Sequence, residues 1–338
     1  MTTSQAKPVL RIYALPGFEN TPLSRIREDH NVAIFTQPAA WSALNGTLNV
    51  NEVWRAEPTE ASEAHFASLA REMPDQVEVI YAVGGGLAFD AAKYAALQHS
   101  LPLAGVPTAI SVDAFLTPAS GVRRDGFVSY VETGAAQVLY LDWELLAAAP
   151  AYIRAAGVAD VISIATALWD WHFAESEGKL LGGGNVIPFI ARIARDILDE
   201  AVLLAPRLGR GEIAALQRLL SLLAIEVQLC NLIGHSRAEE GSEHYFAYAV
   251  ENVVGSGLPH GELVGPGIVA IAAAQEQNWE PLRDALDQAG IALESVPWVA
   301  AEATLRSLPD YAARNHLPFG IAHVLSEEQV ERGLRAAW

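Results

Sequence analysis

The chain has 338 residues, 51% hydrophobic and 18% charged, with a formal net charge of −18. That length supplies a sizeable core and two domains, and the composition excludes long disorder. A field of that sign repels phosphate backbones and anionic lipid, which sets nucleic acid and membranes aside as partners.

No apolar run approaches the roughly 20 residues of a bilayer span, and the first eight residues lack a signal-peptide pattern. A cytoplasmic protein is therefore expected. The single cysteine, Cys230, excludes an intrachain disulfide, and its apolar surroundings read as a core helix.

In chain order, residues 9–15, 31–36 and 50–55 have strand character, and 60–72 follow with a helical pattern. Residues 77–83 form a β-branched run ending in Gly84-Gly85-Gly86, then 87–97 turn helical and 103–106 form a short strand stopped by Pro107. This alternation predicts a parallel sheet flanked by helices. Residues 121–141, with the turn Arg124-Asp125-Gly126, read as a hairpin. After Pro150, apolar residues recur at three- and four-residue spacing over 158–177, 188–204, 211–233 and 242–254. A domain boundary is expected between Asp142 and Pro150, with an α/β domain over 1–146 and a helical domain over 147–338.

The triple glycine lies between a strand and a helix. Glycines there let the backbone approach a pyrophosphate, and the helix start offers unpaired N–H groups to its oxygens. A tight turn alone is the competing reading. The spacing is not G-x-G-x-x-G, and no clear ribose-binding acid follows about 20 residues on.

Gly84-Gly85-Gly86-Leu87-Ala88-Phe89-Asp90-Ala91-Ala92-Lys93 resembles the GGGSxxDxAK segment of the iron-containing alcohol dehydrogenase superfamily, and residues 106–113 resemble its next loop. Residues 156–160 and 166–171, Ser236-Arg237, Gly241-Ser242-Glu243-His244 and residues 258–262 look like the sn-glycerol-1-phosphate dehydrogenase branch. The match runs in order over about 77–267. It implies a dehydroquinate synthase-like architecture: an N-terminal nucleotide-binding α/β domain and a C-terminal helical metal-binding domain.

The resemblance implies a divalent metal held by Asp160, His244 and His260. One carboxylate and two imidazoles leave coordination positions open, as a catalytic metal requires. Zn suits this set, and Ni, Fe or Mn are compatible with it. His172, His235 and His323 have no such support and read as surface or capping residues. By the same resemblance NAD or NADP would contact Gly84, Gly85, Gly86, Leu87, Ala88, Thr108, Ser111 and Thr117. Asp113 would bind a substrate hydroxyl, its alternative being a turn cap. Lys93 and Arg237 would lend positive charge to a phosphate or a developing alkoxide, and Asp160 and Tyr248 would adjoin the substrate.

Three departures bear on the substrate. Leu87 stands where the family commonly has Ser. Ala238-Glu239-Glu240 replaces a small neutral stretch. Tyr248 occupies the position four after His244, where the glycerol-1-phosphate branch places a substrate-binding His. The first reading is thus a metal-dependent, NAD(P)-linked oxidoreductase of a small polyol or polyol phosphate, as a homo-oligomer. A dehydroquinate synthase-like lyase and a non-enzymatic nucleotide-binding descendant are the alternatives. Trp169-Asp170-Trp171 and the Gly-Ser-Glu-His segment point away from the lyase, and retention of all three candidate ligands argues against the descendant.

Overall fold

The computed structural model describes residues 14–124, 126–180, 184–255 and 257–338. Its contacts group into an α/β unit, Ala14–Ala155 with Gly211–Leu220, and a helical unit, Ala156–Arg210 with Ser221–Trp338.

The α/β unit runs β1 (Gly17–Asn20), β2 (Glu28–Thr36), α1 (Pro38–Ala43), β3 (Val50–Ala56), α2 (Glu63–Glu72), β4 (Val79–Gly84), α3 (Gly86–His99) and β5 (Leu103–Pro107). It continues through β6 (Ala119–Arg124), β7 (Phe127–Glu132), β8 (Val138–Leu141), α4 (Trp143–Ala148) and α5 (Ala151–Arg154). Six strands form one parallel sheet in the order β1-β8-β5-β4-β2-β3. Every residue of β4 is buried, as expected of a central strand covered on both faces. Leu23, Ile26, Val32, Ile34, Val79, Tyr81, Val83 and Val106 make one core cluster. On the opposite face of β5 from Ala104 and Val106, Gly105 permits close packing, because a Cβ there would lie 2.5 Å from both Phe89 of α3 and Leu139 of β8.

Two sequence expectations are corrected. Of the strand placed at 9–15, residues 9–13 lie outside the described residues, and Ala14 and Leu15 are not in a strand. The edge strand is β1, exposed at all its positions, so no alternation of apolar and polar residues marks it. The hairpin placed at 121–141 is shorter: β6 and β7 pair antiparallel, while β8 joins the main sheet in parallel with β1 and β5. Asp125 of the predicted turn lies outside the described residues.

The helical elements are α6 (Val158–Ile162), α7 (Ile164–Ser176), α8 (Pro188–Gly209), α9 (Ile213–Ile233), α10 (Ser242–Val254), α11 (His260–Ala274), α12 (Glu280–Ala289), α13 (Trp298–Arg314) and α14 (Glu327–Ala337). The single helix expected over 158–177 is divided at Ser163, whose hydroxyl lies 2.6 Å from the Asp160 carbonyl. Residues Gly261 to Ala274 of α11 are buried throughout. Gly333 of α14 permits close packing on α11, since a Cβ there would meet the Ala270 carbonyl at 2.8 Å. The expectation of no span-length apolar run is also corrected: α9 is long and apolar enough by composition to cross a membrane. It carries buried Glu226 and packs Leu216, Leu219, Leu222 and Leu223 inside the protein, which is the behaviour of a core helix.

Candidate functional site

Three side chains from three helices converge within the helical unit. Asp160 lies in the middle of α6, His244 in the first turn of α10, and His260 opens α11. Each offers one donor atom, and the three donors lie within 4.8 Å of one another. Asp160 Oδ1 is 3.0 Å from His260 Nε2, and the two imidazole centroids are 5.5 Å apart.

Small residues bring these helices together. A Cβ at Gly267 of α11 would lie 2.8 Å from the Glu243 carbonyl of α10. One at Gly261 would lie 2.8 Å from the Ala156 carbonyl, just ahead of α6. Larger side chains at either position would push apart the segments that carry the three donors.

A layer of buried polar groups fixes His244. Its Nδ1 lies 2.9 Å from Glu243 Oε1. That same oxygen accepts from the Gly241 N–H at 2.7 Å, and Glu243 Oε2 accepts from Thr166 Oγ1 at 2.7 Å. Glu243 is fully buried. A ring donating from Nδ1 to a carboxylate presents its Nε2 lone pair outward, the arrangement that orients metal-binding histidines. Burial opposes a charge on His244, but the carboxylates of Glu243, Glu240 and Asp160 outweigh it and raise its pKa to about 9 without a metal, so an ion bound here would displace the Nε2 proton to reach that lone pair.

Behind this layer, Asp170 of α7 gathers four donors. Oδ2 accepts from the Ser242 N–H at 2.8 Å and the Ser242 hydroxyl at 2.5 Å. Oδ1 accepts from the Ile321 N–H at 2.8 Å and Gln275 Nε2 at 3.1 Å. Burial pushes this carboxyl up to about 6 while the bonds from Ser242 and Ile321 pull it down. With donors at both oxygens, it works as an ionised acceptor. Gly320 leaves room for it, since a Cβ there would lie 2.4 Å from Asp170 Oδ2. Asp170 thus ties the start of α10, with His244 on it, to the 320–322 segment.

One further pair adjoins His244. The Tyr248 ring is 6.0 Å from the His244 ring, and the Tyr248 hydroxyl donates to Glu240 Oε1 at 2.8 Å.

The glycine turn lies in the α/β unit, where β4 passes into α3. β2 leads through α1 to β3 on one side of the sheet order, whereas β4 leads through α3 to β5 on the other, so the order reverses between β2 and β4. Crevices at such reversals, at strand carboxyl ends, are where parallel sheets bind nucleotides. Gly84 has φ +141°, a conformation reserved for glycine. A Cβ at Gly85 would lie 3.2 Å from the Ser111 hydroxyl, and one at Gly86 would lie 3.1 Å from Val112. Gly85 caps α3 without a side-chain acceptor and the first turn holds no acid, so the helix N–H groups remain available to an anion.

Residues 30–150 match the family model described as iron-containing alcohol dehydrogenase. The chain is 30% identical over 240 residues to the glycerol-1-phosphate dehydrogenase [NAD(P)+] of Thermoplasma acidophilum, covering 70% of this chain and 67% of that one. It belongs to the iron-containing alcohol dehydrogenase family. Its place is the glycerol-1-phosphate dehydrogenase branch: the enzyme of that name from Methanothermobacter thermautotrophicus is likewise 30% identical, over 74% of this chain and 70% of its own. Among solved structures, a probable glycerol dehydrogenase of Sinorhizobium meliloti has a TM-score of 0.70 at 15% identity, covering 97% of this chain and 98% of its own. The glycerol dehydrogenase of Schizosaccharomyces pombe has a TM-score of 0.67 at 17% identity, covering 98% and 91%. These likenesses show that the fold is that of the family.

As a family member the chain has a donor set that fits a divalent metal: one carboxylate oxygen and two imidazole nitrogens, close together, with the second imidazole nitrogen of His244 anchored. The turn at Gly84, Gly85 and Gly86 likewise fits a dinucleotide phosphate. Thr108 and Ser111 flank it, the Thr108 N–H bonding the Gly84 carbonyl at 3.3 Å. Leu87 and Ala88 lie in the first turn of α3; Ala88 is fully buried and its N–H bonds the Gly85 carbonyl at 3.1 Å, and neither side chain brings a polar group to the turn. Asp113 opens a short 3-10 turn that runs to Phe115.

Two assigned roles are corrected. Lys93 is 1% exposed; its ammonium contacts the carbonyls of Ala114 and Ala119 and the Thr117 hydroxyl, and pairs with Asp90 at 3.1 Å. Its charge holds the 114–119 loop rather than a reacting group. The Thr117 hydroxyl belongs to this same lysine-centred cluster. Arg237 is buried and donates through Nη2 to the carbonyls of Asp170 at 3.0 Å and Phe319 at 2.7 Å, so it holds backbone rather than substrate. Sequence reasoning missed Thr166, Glu243, Asp170 and Gln275 as supports of the centre. Thr166 and Asp170 lie in the 166–171 motif and Glu243 beside His244 in its own, so these three had a local signal, whereas Gln275 had none.

Proposed function

We propose that this chain is a metal-dependent, NAD(P)-linked dehydrogenase interconverting a small polyol or polyol phosphate and its ketone, with Asp160, His244 and His260 as metal ligands. Family membership carries the dehydrogenase class. The observation that carries the site is the convergence of one carboxylate and two imidazoles from α6, α10 and α11 on one point.

Asp160, His244 and His260 would hold a divalent ion that would supply Lewis acidity, favouring the alkoxide of a substrate hydroxyl in one direction and polarising a ketone in the other. The protein's residues do the rest. Glu243, itself held by Thr166 and the Gly241 N–H, keeps the His244 ring in one tautomer. Asp170 keeps the start of α10 in place through Ser242. The uncapped start of α3 and the bare backbone of Gly84 to Gly86 offer N–H groups to the cofactor's phosphates. NAD(P) held there would supply hydride chemistry at the carbinol carbon, which the protein directs by placement.

The test is direct. Purified protein is loaded separately with Zn, Ni or Fe and assayed by nicotinamide absorbance with glycerol, sn-glycerol 1-phosphate and their ketones, using NAD and NADP. Net oxidation of a polyol coupled to net reduction of the nicotinamide is expected. Turnover of a sugar phosphate with no net absorbance change would replace this reading with the lyase.

A further inference from the structure

We propose that the Glu240–Tyr248 pair sets the substrate class of this centre to a polyol bearing no phosphate or other anionic group. The inference rests on the dehydrogenase reading above and concerns only the charge of what is bound.

Tyr248 stands one helical turn after His244 on α10, so the two rings share a face, 6.0 Å apart. Its hydroxyl donates to Glu240 Oε1 at 2.8 Å and thereby holds a carboxylate beside the candidate ligands. The Glu239–Glu240 stretch is also joined to the Asp160 segment. The Ser163 hydroxyl lies 2.6 Å from the Asp160 carbonyl and 2.5 Å from that of Glu239. Glu240 is therefore fixed next to the centre from two directions.

The charge count follows from those positions. Asp160, Glu243 and Glu240 place three carboxylates around or behind the donor set, more negative charge than one divalent ion neutralises. The cation of the same stretch, Arg237, is three residues before Glu240, but its guanidinium is turned to the Asp170 and Phe319 carbonyls. The segment thus delivers its anion to the centre and sends its cation elsewhere. A phosphate brought here meets acceptor-only carboxylate and like charge across a poorly screened gap. A hydroxyl meets a good acceptor in Glu240 and a phenol able to donate or accept.

The test uses the metal-loaded full chain and matched compounds, glycerol and sn-glycerol 1-phosphate with their ketones. Steady-state kcat/KM is measured for each, together with calorimetric binding to the protein saturated with cofactor. We expect the unphosphorylated compounds to be preferred at least tenfold in kcat/KM and in affinity. Glu240→Gln, which removes the charge, and Tyr248→His, which removes the phenol holding it, should each narrow that gap at least threefold. Equal or better use or binding of the phosphorylated compound by the native chain would overturn the proposal, as would a gap unmoved in both variants. Should none of the compounds be oxidised or reduced, the dehydrogenase reading fails, and the calorimetric comparison still decides the charge preference.

Discussion

The glycine turn and the three-ligand centre achieve fixed geometry by opposite means. At Gly84, Gly85 and Gly86 the chain removes side chains, and the groups proposed to bind are backbone N–H at the start of α3. At Asp160, His244 and His260 it adds them, in successive layers: ligand, then Glu243 and Thr166, then Asp170 with Ser242, Gln275 and Ile321. A backbone site tolerates change at neighbouring side chains but not an added Cβ. A layered side-chain site loses function in proportion to how deep the removed group lies.

The largest effects belong to the innermost layer. His260→Ala or His244→Ala should weaken divalent-metal affinity by more than about 100-fold and abolish turnover, since removing a ligand exceeds the roughly 10- to 100-fold of outer-shell losses. Calorimetric titration with Zn or Ni checks this. Unchanged affinity in both variants would mean that the cluster does not bind metal.

One layer out, Thr166→Val leaves Glu243 Oε2 without its 2.7 Å donor. Metal affinity should fall by about 10-fold with the fold preserved, the range found for second-layer partners. The outermost layer, which supports the start of α10, is different in kind. Asp170→Asn turns an amide NH2 toward donors at one oxygen or the other, leaving buried groups unsatisfied, and should cost about 2–4 kcal/mol of stability. Urea denaturation of the metal-free protein would show it as a lowered midpoint. An unchanged midpoint would show that the four donors are satisfied some other way.

The backbone site should respond to a single methyl group. Gly86→Ala places a Cβ 3.1 Å from Val112 Cγ1, so the turn must shift by a few tenths of an ångström. NAD(P) affinity, read by fluorescence titration, should drop about 10-fold while metal affinity stays put. Leu87→Ser should move cofactor affinity in the other direction, by about 1 kcal/mol or less, the net worth of one added hydrogen bond. If Gly86→Ala binds cofactor normally, the turn is only a turn.

The same contrast explains what the sequence discloses. A backbone site is local: strand, three glycines and helix are contiguous, and β2, β3, β4, α3 and β5 were legible from alternation and β-branched runs. The layered site is not local. Asp170 meets Ser242 at a separation of 72 residues and Ile321 at 151, and no spacing rule links them. Asp160, His244 and His260 were legible only because several motifs occur in order, not from any one of them. Lys93 misled because a lysine on a helix is ordinarily solvated, whereas here carbonyls, a hydroxyl and Asp90 surround it. The edge strand β1 was missed because its exposed residues carry no pattern, and β8 was merged into the hairpin because its texture resembles the strands before it.

The smallest effect tests the surroundings of the layered site through protons. His235 packs edge-on to Trp171, with centroids 5.3 Å apart, and its Nδ1 lies 3.4 Å from the Arg237 N–H. Burial first, and then the Arg237 charge, lowers its pKa to about 4. The unfolded chain titrates near 6.5, so between pH 6.5 and 4 the unfolded state binds more protons at this site than the folded one. Its contribution to stability is therefore complete above pH 6.5 and is lost as pH falls toward 4. Asp170 works the other way: with its folded pKa raised to about 6, it favours the folded state increasingly as pH falls from 6 toward 3.8. Comparing His235→Gln with the native chain isolates the histidine, because Asp170 is common to both. Urea midpoints at pH 7, 6 and 5, in chelator throughout, should fall less steeply in the variant. Parallel slopes would mean that His235 takes up its proton in the folded state, and that the packing around Trp171 is open to water.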